Sequence, residues 1–391
     1  MIPRSTDVLV IGGGIVGTAC AEALASAGQD VVLVERADLA AGTSGACQTG
    51  VGWGLFQDPY DRQLCLAASA VYQEWITIGG DVEYRQPGSV IVGDLETKGT
   101  LRAKVEALQE LNIACEWLDR AAIREAEPAI SPTVPGGAFL KSIAQVNPIQ
   151  VVIEAARRAK QLGARICTHT ELLSVEIKGG KAISALTNQG RISFGTIVLA
   201  AGAWSSHVGR FFDLRVPVWP LKGHILVTEP IPPLLRHMIS RAQCEENDKG
   251  TIGVNIGADG PPPGPPQVGT VLHSQFHGQL LIGSSKQFAG FDRKVDLNCI
   301  TEMAGRACKL IPQLKDVQIV RTYTGFRPWT PDGRPLIGPT KQVNGLVFAT
   351  GHGGEGVTLA LLTGRLIAEL LTGQGTSVDI GPLSPDRFLL R

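Results

Sequence analysis

Six residues near the amino terminus, Gly12-Gly13-Gly14-Ile15-Val16-Gly17, carry the spacing G-x-G-x-x-G directly after an apolar β-branched run, Val8 to Ile11. At that spacing Gly12 allows a tight turn, Gly14 lets a pyrophosphate approach the backbone, and Gly17 lets a helix pack close to the preceding strand. The helix that opens here presents N–H donors and the positive end of its dipole to phosphate, with Ile15 and Val16 in its first turn. Glu35 ends a second buried run, Val31 to Val34, 18 residues beyond Gly17. A carboxylate at that point suits ribose hydroxyls and repels a 2′-phosphate. Arg36 follows it at the same end of the site. Strand, glycine turn, helix, strand and terminal acid together predict a dinucleotide site.

Two further glycine-rich windows narrow the ligand. Gly42 to Gly54 holds Thr43, Ser44, Gly45, Val51 and Gly52, where an extended pyrophosphate and ribityl chain needs small neighbours. Near the carboxyl terminus, Ala349 to Thr358 has a strand–turn–helix pattern through Gly353, Gly354, Glu355, Gly356, Val357 and Thr358. A second helix start aimed at the ligand suits the edge of an isoalloxazine ring, which becomes anionic on reduction. One chain that holds both ends of an elongated cofactor favours FAD over a nicotinamide dinucleotide. Glycine is 47 of 391 residues, with no G-X-Y period and no Gly/Ser linker. Thirteen of the 47 fall in these three windows, so the excess marks close backbone approach to a ligand.

The elements that must position these groups follow from the rest of the chain. Length predicts about two domains, and 44% hydrophobic against 18% charged residues excludes disorder. Lys+Arg and Asp+Glu number 36 each, and without a basic surplus an electrostatic nucleic-acid binder is excluded. Eight cysteines with no C-x-x-C pair exclude a zinc ribbon, and no metal site is expected. The chain lacks a signal-peptide pattern and a run of 18 apolar residues, which predicts a cytoplasmic protein with no transmembrane segment. Helical patterns cover 14–27, about 61–76, 95–111 and 148–162. Strands are predicted at Ser89–Val92, within 165–200, at Ile225–Val227, at Leu280–Ile282 and at Leu346–Ala349, with a turn near 324. The fold class is α/β: a Rossmann-type FAD-binding domain from 1–84, 145–217 and 324–391, with an inserted, mainly antiparallel substrate domain from 85–144 and 218–323.

The chain resembles the D-amino-acid oxidase (DAO-type, glutathione-reductase-2) superfamily of FAD-dependent amine oxidoreductases over essentially its whole length. The resemblance rests on the amino-terminal fingerprint, on Thr196 to Ser205 (TIVLAAGAWS), on Gly325 to Gly338 (GFRPWTPDGRPLIG) and on the Gly351–Thr358 turn. Within the superfamily, Pro220 to Pro230 and Leu281 to Ser285 look most like the FAD subunits of hetero-oligomeric enzymes. These include the FAD subunits of opine (octopine/nopaline) oxidases and of hydrogen cyanide synthase, and the hydroxyproline dehydrogenase β subunit. Glycine and sarcosine oxidases are relatives. The resemblance implies that Arg327 grips the substrate carboxylate, a role that suits a planar fork of donors in a partly dry pocket. It also implies cofactor contacts from Val175 and from the Ala201-Gly202-Ala203-Trp204 turn.

Departures from family patterns carry information too. Gly325 stands where monomeric sarcosine oxidases tether FAD to a cysteine, so FAD is expected to be non-covalent. Gln145-Val146-Asn147-Pro148 lacks the histidine that tethers FMN in heterotetrameric sarcosine oxidase, which leaves a non-covalent FMN at a subunit interface open. An apolar residue near Leu281 replaces an oxygen-activating lysine, which favours another electron acceptor. Arg327, His352 and Glu355 form the candidate catalytic set. Glu355 fits either a dipole-matching acid at a helix start or a carboxylate for a basic substrate tail. Trp53, Tyr84, His224, Tyr323 and Trp329 are candidate pocket walls with Arg327, and His224 and His352 fit a structural role equally well.

The expected reaction is oxidation of the C–N bond of an amino acid or opine-like secondary amine, by hydride transfer to flavin N5 and then imine hydrolysis. The expected setting is a complex with a larger flavin or Fe–S subunit, with a peripheral membrane link through the acceptor open. The alternatives are a self-sufficient glycine/sarcosine/D-amino-acid oxidase that uses O2, and a cofactor-bearing relay subunit with little activity alone.

Overall fold

The computed structural model describes residues 2–52, 55, 58–242 and 260–388. In chain order the elements are β1 (Ser5–Ile11), α1 (Ile15–Ser26), β2 (Val31–Val34), β3 (Gly50–Val51), α2 (Pro59–Thr77), β4 (Ser89–Val92), α3 (Lys98–Glu110), β5 (Cys115–Asp119), α4 (Arg120–Ala126), β6 (Gly136–Leu140), β7 (Ala144–Gln145), α5 (Pro148–Gln161) and β8 (Arg165–Cys167). There follow β9 (Leu172–Lys178), β10 (Lys181–Thr187), β11 (Gly190–Leu199), α6 (Ser205–Gly209), β12 (Trp219–Thr228), β13 (Met238–Arg241), β14 (Gln267–Ser274), β15 (Leu280–Phe288), α7 (Leu297–Leu310), β16 (Ile319–Trp329), β17 (Leu336–Pro339), β18 (Leu346–Thr350) and α8 (Gly356–Leu371).

The first sheet runs β17-β18-β11-β1-β2-β8, and β10 and β9 extend it antiparallel from β11. Its central strands are parallel, β18 to β11 to β1 to β2 to β8. Val8 and Val10 of β1 face the core shared with α1, α5 and α8, while Leu9 and Ile11 face the opposite core. Burial on both faces is why these strands are unbroken apolar runs without polar alternation. Helices α1 and α8 touch where Gly364 meets Ala19, and a Cβ at Gly364 would stand 2.4 Å from the Ala19 carbonyl oxygen. The two helices that start in the glycine windows are therefore locked side by side.

The second sheet runs β16-β12-β15-β14-β13-β4-β6-β5, antiparallel except for the parallel β13–β4 pair. Helix α7 covers its back, started by Asp296 Oδ1, which accepts from the N–H groups of Asn298 and Cys299. The sequence reading has no helix here.

It also has a turn near 324, with the cofactor-domain segment starting there. The structure instead continues β16 to Trp329 as part of the second sheet. Gly325 and Pro328 imitate a turn, but β16 is an edge strand, where a proline costs no ladder hydrogen bond. The short strands expected at Ile225–Val227 and Leu280–Ile282 are the end of the longer β12 and the start of the longer β15.

Candidate active site

A cleft of about 390 Å³ lies between the two sheets. One side is formed by the carboxyl ends of the parallel strands: Gly14, Ile15 and Val16 after β1, Ala200 and Gly202 after β11, Ala349 and Thr350 at the end of β18, and His352 to Thr358 after it. Ligands bind in open α/β sheets at this edge. The other side is one face of the second sheet. Side chains alternate along a strand, and the pairing brings Arg327 and Gly325 of β16, Gly223 and Ile225 of β12, Val271 and His273 of β14, Met238 and Ser240 of β13, and Ser89 and Ile91 of β4 to the same face.

The cofactor end is shaped by what a Cβ would collide with. At Gly12 it would lie 2.5 Å from Ala200 O, with φ at +117°, and at Gly17 it would lie 1.9 Å from Gly12 O. Gly12 and Gly17 thus hold the turn against the sheet, while Gly14 faces the cleft. Gly45 is a packing glycine as well, its Cβ position 2.5 Å from Ala40 O. The Glu35 carboxylate accepts from Gly13 N–H at 2.7 Å and from Ala37 N–H at 2.9 Å. It braces the turn and keeps further lone pairs for ribose hydroxyls. Ser44 Oγ accepts from Ile15 N–H at 2.9 Å, tying the second window to the first.

The N–H groups of Val16 and Gly17 in α1, and of Gly356, Val357 and Thr358 in α8, have no acceptor within their own helices. Val16, Gly356, Val357 and Thr358 line the cleft, so two dipole ends point into one cavity. Val51 and Gly52 line it between them, and Thr358 Oγ1 bonds Gly52. Small residues and unused donors at both ends fit an elongated diphosphate cofactor. At Gly325 a Cβ would lie 2.4 Å from Ala46 O, which leaves no room for a covalent tether there.

Arg327 Nη1 donates to Ser285 O at 2.9 Å, leaving the rest of its fork to the cleft. Burial lowers its pKa, and the neighbouring Cys47 and Glu355 act the other way. Burial pushes the Cys47 thiol up to about 12, so it stays protonated; its Sγ donates to Ser44 O at 3.3 Å. Burial also raises Glu355 to about 7, against the pull of Arg327 and with a push from Asp61. Glu355 also lines a side chamber of about 170 Å³ that shares Arg327 with the main cleft.

For an acid raised in the folded state, the stabilising contribution is full below pH 4.5 and is lost as pH rises through 7. Glu355→Gln is therefore expected to raise the Tm above that of the parent at pH 8 and to leave it nearly unchanged at pH 4.5. Thermal melts across that range check this, and a pH-independent difference would rule it out.

The other expected site residues divide between the cleft and places away from it. His352 is buried, and its Nε2 bonds Thr363 Oγ1 at 2.9 Å. The Thr363 hydroxyl donates to Leu359 O, so Nε2 carries the proton, and burial lowers the ring to about 3. A neutral ring used as a clamp on α8 lines the cleft without serving as a base. His224 is not a pocket residue: even-numbered on β12, it faces α7 and bonds Ser285 Oγ at 2.8 Å and Asp296 N–H at 3.2 Å.

Tyr323 shares the Arg327 face, beside Cys47, and burial raises it to about 12. Trp329 packs with Leu221 and Phe288 and walls the side chamber. Tyr84 is away from the cleft, accepting a bond from Gln73 Nε2. Val175 pairs with Ala185 in the antiparallel extension; the segment bonded to the Glu35 region is Cys167–Thr170. Trp204 stacks on Phe291 at 5.0 Å and carries the Arg36 guanidinium at 4.7 Å, closing the outer end. Ala201 and Gly202 form the turn beneath it. Trp53 lies outside the described residues, as do Gly54 and Cys244.

Sequence reasoning missed Gln48, Ser89, Met238, Ser240 and His273, all on the cleft. For the four on strands the signal was alternation, usable only once the pairing is known; Gln48 lies in the loop before β3 and had none.

The chain matches the family described as FAD dependent oxidoreductase (DAO) over residues 7–370. It belongs to that family. It is accordingly an FAD-dependent oxidoreductase, with FAD as its cofactor and the residues above as the fitting cradle. It is similar to hydrogen cyanide synthase subunit HcnC of Pseudomonas aeruginosa, 26% identical over 98% of this chain and 97% of that protein. It is also similar to the glycine oxidase of Geobacillus kaustophilus, 25% identical over 98% and 97%. The crystal structure of the G. kaustophilus enzyme superposes with a TM-score of 0.86 at 24% identity over 100% of this chain and 99% of that one. L-proline dehydrogenase from P. horikoshii gives 0.86 at 24% identity over 100% of both chains. Among the described residues no helix is long and apolar enough to cross a membrane, and no cluster of His, Cys, Asp and Glu could hold a metal ion.

Proposed function

We propose that this oxidoreductase oxidises the C–N bond of an amino acid or N-substituted amino acid. The observation that carries the reading is Arg327, a half-buried fork on the wall opposite the two helix starts. A carboxylate bound there places the adjacent α-carbon over the region framed by the 353–358 turn. FAD, when bound, supplies the hydride acceptor. The chain's own task is orientation, exclusion of water and stabilisation of negative charge by the Gly356–Thr358 N–H groups. Neutral His352 and protonated Cys47 offer no strong base, which suits a substrate bound as the free amine. The imine product then needs only water.

An acceptor other than O2, and work beside a larger flavin or Fe–S subunit, accord with the apolar Leu281 on the cleft face and with the likeness to a protein named as a subunit. Such a complex could carry an interfacial FMN.

An anaerobic screen of the purified flavoprotein over glycine, sarcosine, proline, D-amino acids and opines tests the reading. Bleaching by one or more amines is expected. Bleaching by a 2-hydroxy acid or a glycerol phosphate but by no amine would overturn it. Peroxide formed at full rate by the chain alone would favour the O2-using oxidase instead.

A further inference from the structure

The bond that holds Arg327 is itself held from behind the cleft wall. Between the pairs Lys222–Gln287 and Leu226–Ile282 the register of β12 on β15 slips, so that three residues of β12 face four of β15. The extra residue interrupts the ladder, as a bulge does. Two side-chain bonds fill the interruption: Arg327 Nη1 donates to Ser285 O at 2.9 Å, and the His224 N–H donates to Ser285 Oγ at 3.0 Å. His224 then returns to the same hydroxyl with its ring. Asp296 N–H donates to His224 Nε2 at 3.2 Å, so the hydrogen of the neutral ring is on Nδ1, which donates to Ser285 Oγ at 2.8 Å. Burial first, and Lys222 second, lower the pKa of the ring against Asp296 and Asp292, which keeps it neutral. Both lone pairs of the Ser285 hydroxyl are thus taken by one residue, and Cys299 Sγ of α7 stands 3.6 Å from Nδ1. Ser285 and His224 are each 1% exposed. On the cleft face of the same strand, a Cβ at Gly223 would lie 2.5 Å from Arg327 Nη1 and 3.1 Å from its Cζ. The guanidinium therefore rests on a bare Cα.

We propose that Gly223, Ser285 and His224 are positioning residues that aim the Arg327 fork into the cleft, His224 acting through the sheet from the α7 side. The inference rests on the reading of Arg327 as the carboxylate grip. A planar guanidinium holds a carboxylate through two parallel N–H bonds, which demands one orientation of its plane. The bond to Ser285 O sets that orientation, the doubly bonded hydroxyl keeps Ser285 from turning, and Asp296 keeps the His224 ring from turning. Gly223 leaves the space in which the fork lies. Disturbing the seat from either face leaves the charge of Arg327 in the cleft but loses its direction, while the glycine turns of the other sheet are untouched.

The test compares (methylthio)acetate with its neutral amide, two ligands without an amine to oxidise that differ in the group offered to Arg327. Binding is read from the visible spectrum of the flavin in the purified holoenzyme. The parent is expected to prefer the carboxylate by at least about tenfold, the worth of a charged hydrogen bond, and Arg327→Ala is expected to abolish the preference. Gly223→Ala, whose methyl group meets the far end of a flexible side chain on the cleft face, is expected to remove most of it. His224→Phe, from the opposite face, is expected to do the same, and in both the amide is bound nearly as in the parent. His224→Asn, whose side-chain amide reaches the place of Nδ1, is expected to keep part of the preference. Flavin content and Tm check that each variant is folded, and Ser285→Ala, which removes one oxygen and adds nothing, replaces His224→Phe if that variant is unstable. A preference lost in Arg327→Ala but unchanged in either folded seat variant overturns the proposal and leaves the proposed function standing. So does an equal weakening of acid and amide, the mark of a merely structural role. No preference in the parent overturns the carboxylate grip of Arg327, and the seat with it.

Discussion

Replacing Arg327 with alanine is expected to lower kcat/KM by about a hundredfold, chiefly through KM, in an enzyme that keeps its flavin. A charged hydrogen bond contributes up to about 3 kcal/mol, and each 1.4 kcal/mol is about tenfold. The direction follows from position. Arg327 is bonded to Ser285 O on its own sheet, and the rest of its fork faces the cleft. Its loss removes the proposed carboxylate anchor while the glycine turns of the other sheet stay as they are. Arg327→Lys is expected to recover at most about tenfold, since an ammonium keeps the charge but loses the planar pair of donors. Steady-state kinetics beside the flavin absorbance check both variants. An unchanged KM in Arg327→Ala would show that the carboxylate binds elsewhere.

The second large effect is expected at Gly17. A methyl group there would sit 1.9 Å from the carbonyl oxygen of Gly12, which is backbone and cannot swing away. Gly17→Ala must push α1 off β1 or unmake the turn that presents Gly14. Either outcome withdraws the first dipole end from the cofactor. The expected result is a protein purified without flavin and destabilised by about 3 kcal/mol, the upper end of overpacking costs. The ratio of visible to ultraviolet absorbance and a thermal melt read it out. A yellow Gly17→Ala of parental Tm would mean that the helix does not pack as described. Gly354, which lines the cleft with nothing within 4 Å of its Cβ position, is the control expected to fold normally.

The cofactor half was legible because its determinants are local. A strand buried on both faces is a continuous apolar run, a helix start beside phosphate needs glycine, and both fall within 35 residues of sequence. The substrate half depends on pairing between distant segments. Arg327 was legible from its motif, but the strand that carries it was not, because Gly325 and Pro328 punctuate an edge strand as they would a turn. His224 is adjacent to Gly223 and Ile225, two cleft residues, and still points to the back of the sheet. Only the register of β12 on β16 decides which of the three faces the ligand. His273 was invisible for the same reason. Nothing near it in sequence tells that Thr49 and Gln145, from two other segments, orient its ring. Val175 lies apart from the Glu35 segment because the stretch that meets Glu35 comes a few residues earlier, before the chain turns away into β9.

The alternation on the second sheet separates two kinds of inheritance. Among the described residues the cleft wall and the core beneath α7 share Ile239 of β13 and otherwise draw on different positions of the second sheet. The cleft-facing Ser89, Ser240 and His273 each sit on a different strand and none is a neighbour of another in sequence, so one can be replaced without the others. Such a scaffold can diversify its chemistry of recognition while its oxidising half is passed on unchanged.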